Sequence, residues 1–587
     1  MEPLNVRDMI EAKQPDFFQK YPRFISNLIV RFLNWLLHIN EANEFIRKYS
    51  HKKNFEFIDE IFEFLDFSYL LTSRDRQRIP SEGKLVIVSN HPLGALDGLA
   101  ILKAVGEIRP DIKVVVNDVL AGIPQLADLF LPYNIFSPQA QRQRVGQIMR
   151  AFANEEAVLF FPSAEVSRLK AGRVVDGYWY NGPIYFAQKY EVPILPIFVK
   201  SRNSLWFYLI SFLHKKFSMF LLPREVFKKR GKNLHLKIGD PIPGRYLKQS
   251  PLHPNLLTKM LKKHVYKLAR KSRPRVFKTE KTILHPVSKP ILKQELGNSL
   301  LLDSPEEHLR LYQVDFQTAP NVVKEIARLR EMTFRRVDEG TGGRIDMDEY
   351  DQFYAHLVLW NEQTLEIVGS YRLIRVAEVL ERFKRHHIYT ASLFKYTSRF
   401  NPVLAQSAEL GRSFIQYRYW NTRALDYLWR GIGLYVSQYD DLRYLLGAVS
   451  ISHSFSSTAK SLIVYYFQKW YGDSENLVRA KSPYIIGREQ MDEMENTFSG
   501  ESAEADFPVL KQTLKSLGYA VPVLFRQYIQ QCLPGGVRFM DFCVDLDFNT
   551  VDGLLVMDMT RMDPRKKERF KITGAGTTAH DESKLKG

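Results

Sequence analysis

The chain has 587 residues, 45% of them apolar, 13% aromatic and 25% charged. At roughly 100–200 residues per domain this makes two to four globular domains, and it excludes a largely disordered or collagen-like chain. The net charge of +18 is concentrated. From Lys215 to Lys281 there are 20 Lys/Arg against three acids (20 − 3 = +17), which leaves +1 for everything else.

In chain order, residues 1–78 read as a helical extension, expected to be membrane-associated. Its apolar stretch from Phe24 to Ile39 carries Arg31 and His38 and falls short of the roughly 20 residues a span needs. No signal peptide is expected, since acids stand among the first bases and no small-residue cleavage site follows. From Lys84 the rhythm changes. Short β-rich runs at Leu85–Val88, Lys113–Val116, Val158–Phe161 and Val192–Val199 alternate with helix-like segments, which argues for an α/β layer over residues 79–271. The run from Leu205 to Leu222 is apolar but broken by His214, Lys215 and Lys216.

Residues 272–320, rich in Pro, Lys and Ser, read as a linker. A second α/β pattern fills 321–562. Its expected elements are a helix over Asn321–Val337, strands at His356–Trp360 and Leu365–Ile374, and a helix capped by Asn421 or Thr422. Further strands are expected at Tyr444–Ile451 and Val537–Leu546. Residues 563–587 read as a disordered tail. The fold class is therefore two α/β domains. Cys532 and Cys543 fit neither a CxxC pair nor a zinc spacing, so no metal site is expected and a reducing compartment is.

Two constellations carry chemistry. At the end of the first β-run stands Asn90-His91-Pro92-Leu93-Gly94-Ala95-Leu96-Asp97-Gly98. A carboxylate accepting the Nδ1 proton of His91 fixes its tautomer and leaves Nε2 as a base. Downstream come Phe161-Pro162-Ser163-Ala164-Glu165-Val166-Ser167-Arg168 and Val192-Pro193-Ile194-Leu195-Pro196, with Asn117-Asp118 to Pro124 between. These blocks resemble the lysophosphatidate acyltransferase family. That family has four residues between His and Asp, whereas here there are five, and Glu165 falls late. Both shifts resemble the hemolysin-labelled branch. The resemblance implies an O-acyltransferase in which His91 deprotonates an acceptor hydroxyl, Asp97 orients it, and Glu165 and Arg168 hold the acceptor.

The second constellation is Arg330 and Arg335, then Asp346-Met347-Asp348-Glu349-Tyr350-Asp351, Gly369-Ser370-Tyr371-Arg372-Leu373, and Glu409-Leu410-Gly411-Arg412-Ser413. The series resembles acyl-homoserine-lactone synthases and the ornithine N-acyltransferases, a GNAT-like branch. An amino-acid carboxylate suits an arginine fork, and an α-amine must lose a proton before it attacks a thioester. Arg412 is expected as the fork, Glu409 as base or amine anchor, and Asp348 and Asp351 as the site for a distal ammonium, with Arg330 and Arg372 beside them. The turn Gln416–Ala424 has no glycine to cradle a pyrophosphate, so acyl-ACP is expected as donor rather than acyl-CoA, met by Arg418 and Arg423. No cofactor is expected to be bound.

The two resemblances together imply a bifunctional ornithine-lipid synthase. It would N-acylate ornithine, or another amino acid such as glycine, with 3-hydroxyacyl-ACP and then O-acylate the new hydroxyl. The alternative is a lysophospholipid acyltransferase whose second domain only docks carrier protein or partners. The basic stretch lies among Trp206, Phe207 and Phe212 without a nucleic-acid motif. Its expected partner is an anionic membrane surface, not nucleic acid, at the cytoplasmic face of the bacterial inner membrane.

Overall fold

The computed structural model describes residues 6–11, 16, 18, 22–116, 123–132, 138–170, 172–213, 221–270, 276–383, 387–546, 548 and 550–573. They form two compact units, Met1–His285 and Pro286–Gly587.

The strands of the first unit are β1 (Ser68–Leu70), β2 (Leu85–Ser89), β3 (Ile112–Val116), β4 (Phe130–Pro132), β5 (Ala157–Phe160), β6 (Arg168–Lys170), β7 (Arg173–Val175), β8 (Ile194–Lys200) and β9 (Asn233–Ile238). Seven make one sheet in the order β1-β9-β8-β2-β5-β3-β4. All pairs are parallel except β8 with β9. A strand covered on both faces must be apolar on both, and β2 is buried at every residue. Leu85 and Ile87 join a core with Ile101 and Val105 on one face, and Val86 and Val88 join another with Ile184 and Leu261. The four apolar runs read from the sequence are β2, β3, β5 and β8. Residues 117–122, which include the Asn117-Asp118 block, lie outside the described residues.

The segment Leu205–Leu213 is a helix with a divided character. Phe207 and Tyr208 are buried with Val166 and Leu221, whereas Leu205, Trp206, Leu209 and Phe212 are exposed. Among the described residues no helix is long and apolar enough to cross a membrane.

The second unit contains β10 (Leu300–Glu306), β11 (Leu309–Val314), β12 (Ala355–Asn361), β13 (Glu366–Arg375), β14 (Phe394–Tyr396), β15 (Ser407–Ile415), β16 (Tyr444–Ile451), β17 (Val478–Ala480), β18 (Val537–Asp545) and β19 (Thr550–Asp558). Its main sheet runs β10-β11-β12-β13-β15-β16-β19-β18. Only β15 and β16 are parallel, and they pair over just Ser407–Glu409 with Tyr444–Leu446. Helices Pro320–Arg336, Ala424–Val436 and Ser457–Tyr471 supply the layers.

Three expectations need correcting. The span 272–320 is not a linker throughout: it holds the helix Lys289–Gly297 and strands β10 and β11. Pro290 stands in the first turn of that helix, where its missing N–H costs nothing. The edge strand β10 is half exposed and so carries little apolar signal. The helix after the glycine-free turn begins at Ala424 with Arg423 at its cap, and Thr422 only accepts a bond from the Ala424 N–H at 3.3 Å. Nor is the chain disordered from residue 563. Asp563 caps a helix over Pro564–Arg569, and Phe570 behind it is buried against Trp429 with ring centroids 5.6 Å apart. Residues 574–587 lie outside the described residues.

That docking explains Gly433. A Cβ there would stand 2.0 Å from the Phe570 carbonyl oxygen, so Gly433→Ala should expel the segment. Phe570→Ala, which leaves a cavity instead, should cost about 3–5 kcal/mol in denaturant unfolding. Unchanged unfolding midpoints in both variants would show that the segment does not contribute to the core.

Candidate active sites

In the first unit, β2 ends at Ser89, and the chain turns through Asn90–Gly94 into the helix Ala95–Gly106. Gly94 takes φ +89, a conformation open to glycine and strained for other residues. The turn brings Asp97, on the first helical turn, back beneath His91. Asp97 is fully buried and accepts the Leu93 N–H on both oxygens, at 3.2 and 3.0 Å. Its Oδ2 lies 3.3 Å from His91 Nδ1. The pair is in ion-pair contact but not aligned as a hydrogen bond, a looseness common in substrate-free sites. The Phe161 ring packs on the imidazole at 4.0 Å.

The segment from Phe161 to Arg168 runs alongside. The Ser167 N–H donates to the His91 carbonyl at 2.7 Å. Glu165 is exposed and Arg168 is buried, its guanidinium 5.4 Å from the Phe207 ring centroid and donating to Ser211 Oγ. Burial lowers the Arg168 pKa. Both side chains line a cavity of about 700 Å³ with Lys170, Trp206, Leu209 and Phe212. One side of this cavity is charged and the other apolar, a shape that suits an amphiphile. His91 does not itself line it; the Ser167 bond joins the two.

The second unit assembles Arg330, Arg372 and Arg412 with Asp346, Asp348 and Asp351, mostly by consuming them internally. Arg330, on the helix Pro320–Arg336, is fully buried and grips Asp351 with two bonds of 2.9 and 2.7 Å. Arg372, on β13, reaches Asp348 at 2.5 Å and Asp351 at 3.1 Å. These cations hold the Asp351 carboxyl far below the usual carboxylate range despite its burial. His356, buried 3.7 Å from Asp351, is pushed by desolvation down to about 4. Arg412 donates to Asp348 at 3.3 Å, stands 3.9 Å from Asp346 and lies 4.2 Å over Phe548.

Two expectations fail on this geometry. Asp351 has no lone pair left for a distal ammonium, and Asp348 is shared between Arg372 and Arg412. Glu409 is not poised as a base either. It is buried, with Oε1 accepting from the Thr390 N–H and hydroxyl and Oε2 from the Tyr389 N–H and Tyr354 hydroxyl. Four donors saturate a carboxylate. Arg418 bonds Glu366 at 3.1 Å on the surface, and Arg423 is exposed at the head of its helix.

The residues that sequence reasoning missed are Glu339 and Asp552. Glu339 lines a cavity of about 340 Å³ with Arg336, Asp338, Ser450, Ser452 and Phe455. Burial, then the Asp552 and Asp338 carboxylates, push Glu339 up to about 7. Asp552, buried and accepting from Thr550 at 2.8 Å, is pushed up to about 6, chiefly by desolvation. Neither belongs to a motif. Glu339 follows a helix by three residues, and Asp552 sits inside a strand that alternation alone did not reveal.

Residues 10–269 match the family described as acyltransferase, and residues 329–430 match the acetyltransferase (GNAT) domain. A glycine N(alpha)-acyltransferase of Phocaeicola vulgatus is 33% identical over 291 residues, 47% of this chain and 88% of that protein. A lyso-glycine lipid O-acyltransferase of the same species is 28% identical, over 45% of this chain and 95% of its own. An L-ornithine N(alpha)-acyltransferase of Rhodobacter capsulatus is 25% identical, over 45% and 97%. The chain is thus an acyltransferase that carries an acyltransferase domain and a GNAT domain, and it belongs to one family with the Phocaeicola N(alpha)-acyltransferase.

Proposed function

We propose that this chain builds a diacylated aminolipid in two steps. The second unit joins an acyl chain to the α-amine of an amino acid, and the first then esterifies a hydroxyl on that chain. The observation that carries this reading is the pairing, in one chain, of a His–Asp base beside an amphiphile-shaped cavity with a second cavity lined by a carboxylate that titrates near neutrality. Two relatives, one named for N-acylation and one for O-acylation, each match under half of this chain and most of themselves, which supports the fusion.

In the first step the amine gives its proton to the Glu339 carboxylate and attacks the thioester carbonyl. A C–N bond forms, the C–S bond breaks, and the thiol leaves. The donor arm has a place to lie, because β15 and β16 part beyond Glu409 and leave strand edges that an extended amide chain can pair with. The bulky turn before Ala424 favours a carrier-protein thioester over a nucleotide-bearing one, with Arg418 and Arg423 facing the acidic carrier. In the second step His91 Nε2 takes the hydroxyl proton and the oxygen attacks a second thioester carbonyl; a C–O bond forms, the C–S bond breaks, and the imidazolium, stabilised by Asp97, gives its proton to the leaving thiolate. Arg168 and Glu165 meet the charged headgroup, and the wall of Trp206, Leu209 and Phe212 meets the chain.

Glycine is the acceptor this reading favours over ornithine. The carboxylates expected for a distal ammonium, Asp348 and Asp351, are already paired to Arg330, Arg372 and Arg412. The first unit works at the cytoplasmic face of an anionic bacterial inner membrane. Its exposed Trp206, Leu209 and Phe212, and the exposed face Phe24, Leu28, Phe32 and Trp35 of the helix Arg23–Leu36, supply an apolar contact. The surrounding bases supply the electrostatic one. Lys215 and Lys216 lie outside the described residues.

Lipid mass spectrometry in a host without aminolipids tests the order of events. His91→Ala should let the monoacylated product accumulate, and Glu339→Gln should remove both products, each acyl transfer falling about 10²–10⁴-fold. A diacylated product from the His91 variant would refute the assignment of the first unit.

The pH dependence separates Glu339 from Glu409. N-acylation should rise through pH about 7 as Glu339 ionises, and Glu339→Gln should erase that limb. A carboxyl whose folded pKa is raised binds more protons folded than unfolded. Its contribution to stability therefore falls as pH climbs from the ordinary 4.5 to about 7, and Glu339→Gln should flatten that slope in melts. Glu409→Gln should instead destabilise the fold by about 1–3 kcal/mol by facing an amide to donors. A pH limb that survives Glu339→Gln sinks the base assignment.

Membrane attachment is read by flotation with anionic vesicles. Replacing Trp206, Leu209 and Phe212 by Ser should weaken binding, and high salt should weaken it further. Phe207, buried in the unit, is no part of that contact. Wild-type protein that ignores anionic vesicles at low salt would remove the proposal.

A further inference from the structure

Asp176 follows β7 directly, outside every motif that the sequence singled out. Its side chain is buried, and three neutral donors converge on it. Oδ1 accepts the His91 N–H at 3.3 Å and the Ser167 hydroxyl, and Oδ2 accepts the Trp179 indole N–H at 2.8 Å. Lys262 is close but donates to the main-chain carbonyls of Asp176 and Gly177 rather than to the carboxylate. The Asp176 N–H donates to the Tyr266 hydroxyl at 2.8 Å.

A carboxylate buried on neutral donors, with the nearby Lys262 bonded to main-chain carbonyls instead, is costly to place. What the charge does here is local. Asp176 holds the N–H of His91, while the Ser167 N–H holds the His91 carbonyl at 2.7 Å. The Ser167 hydroxyl in turn bonds Asp176. Both main-chain groups of the base are therefore clamped, from two residues that bond each other. One of them, Ser167, adjoins Arg168 in the segment that lines the 700 Å³ cavity. Asp97 touches only the imidazole side of His91 and the Leu93 N–H, so it does not fix where the main chain of residue 91 sits.

We propose that Asp176 is a positioning residue for O-acyl transfer: by clamping the backbone of His91 to Ser167, it fixes the base relative to the segment that carries the cavity-lining Glu165 and Arg168. The proposal rests on the reading of the first unit as an O-acyltransferase.

The test is steady-state O-acylation of a monoacylated amino acid by the full-length chain, with thermal melts on each variant. Asp176→Asn keeps the side-chain volume but presents an amide to three donors. It should lower kcat about 10–100-fold, as a misplacement of up to 1 Å does, while the acceptor KM stays within about twofold, since the acceptor-binding groups are intact. Trp179→Phe removes a buried bond from the same carboxylate without touching His91. It should lower the melting temperature yet hold kcat within about threefold, below the cost of a misplaced base. Ser167→Ala keeps the test decisive should the amide variant not fold. Loss of that hydroxyl should lower kcat about 3–10-fold, again with the acceptor KM unchanged. Wild-type kcat in Asp176→Asn, or in Ser167→Ala where that variant decides, overturns the proposal. So does a Trp179→Phe variant as slow as Asp176→Asn, which would make the effect one of general packing. His91→Ala separates the two levels. If it retains activity, the reading of the unit has failed; if it is inactive while Asp176→Asn is not, only the positioning role has failed.

Discussion

A charge taken out of water must meet an opposite charge or enough hydrogen-bond donors, and both sites are organised by how this requirement is met. In the first unit it is met with donors. Asp97 accepts the Leu93 N–H and stands against the imidazole, and Asp176 accepts from an N–H, a hydroxyl and an indole. Neither carboxylate has an arginine or lysine on it among the described residues. Both keep their charge available to the histidine between them, one at its ring and one at its main chain. In the second unit the requirement is met with opposite charges. Three arginines and three aspartates lock the helix Pro320–Arg336 and the central strands β13 and β15 into one geometry, with their charges turned on one another. The carboxylates left over, Glu339 and Asp552, form no ion pair among the described residues, and burial shifts them toward neutrality.

The first unit was largely legible in the sequence. Buried parallel strands are continuous apolar runs, and β2, β3, β5 and β8 stand out for that reason. A histidine at a strand end with a carboxylate six residues further on, across a glycine, states its own geometry. Edge strands do not announce themselves this way. β10 is half exposed, and β1 and β4 are three residues each, so neither length nor alternation marks them. The helix Leu205–Leu213 shows a different limit. Its composition fits a core helix and a surface helix equally, and the fold uses it as both, with Phe207 inward and Phe212 outward.

The second site was legible as a set of residues but not as a set of roles. Arg330, Asp348, Asp351, Arg372 and Arg412 do come together, with Glu409 held apart by Tyr354, Tyr389 and Thr390. Yet a sequence does not say whether an acidic residue faces a partner or a cavity. Glu409 and Glu339 are the same side chain with opposite fates. One is saturated by two backbone N–H groups and two hydroxyls, and the other looks into open volume. The difference is made by the turn at Tyr389–Thr390, which is distant in sequence and aims its donors at β15.

This division narrows what the second unit can accept. An acceptor with one amine and one carboxylate needs one proton acceptor and one cation. The structure offers Glu339 for the first, and Arg336 lines the same cavity for the second. An acceptor with a further ammonium needs a further anion. Around Arg330, Arg372 and Arg412 the aspartates are already engaged, and freeing one would leave a buried guanidinium unpaired, a loss of several kcal/mol; the further carboxylate near the cavity is Asp552, buried beside Glu339. The ion pairs of Arg372 and Arg412 with the aspartates therefore act as scaffold, tying β13 and β15 to the segment that carries Asp346, Asp348 and Asp351.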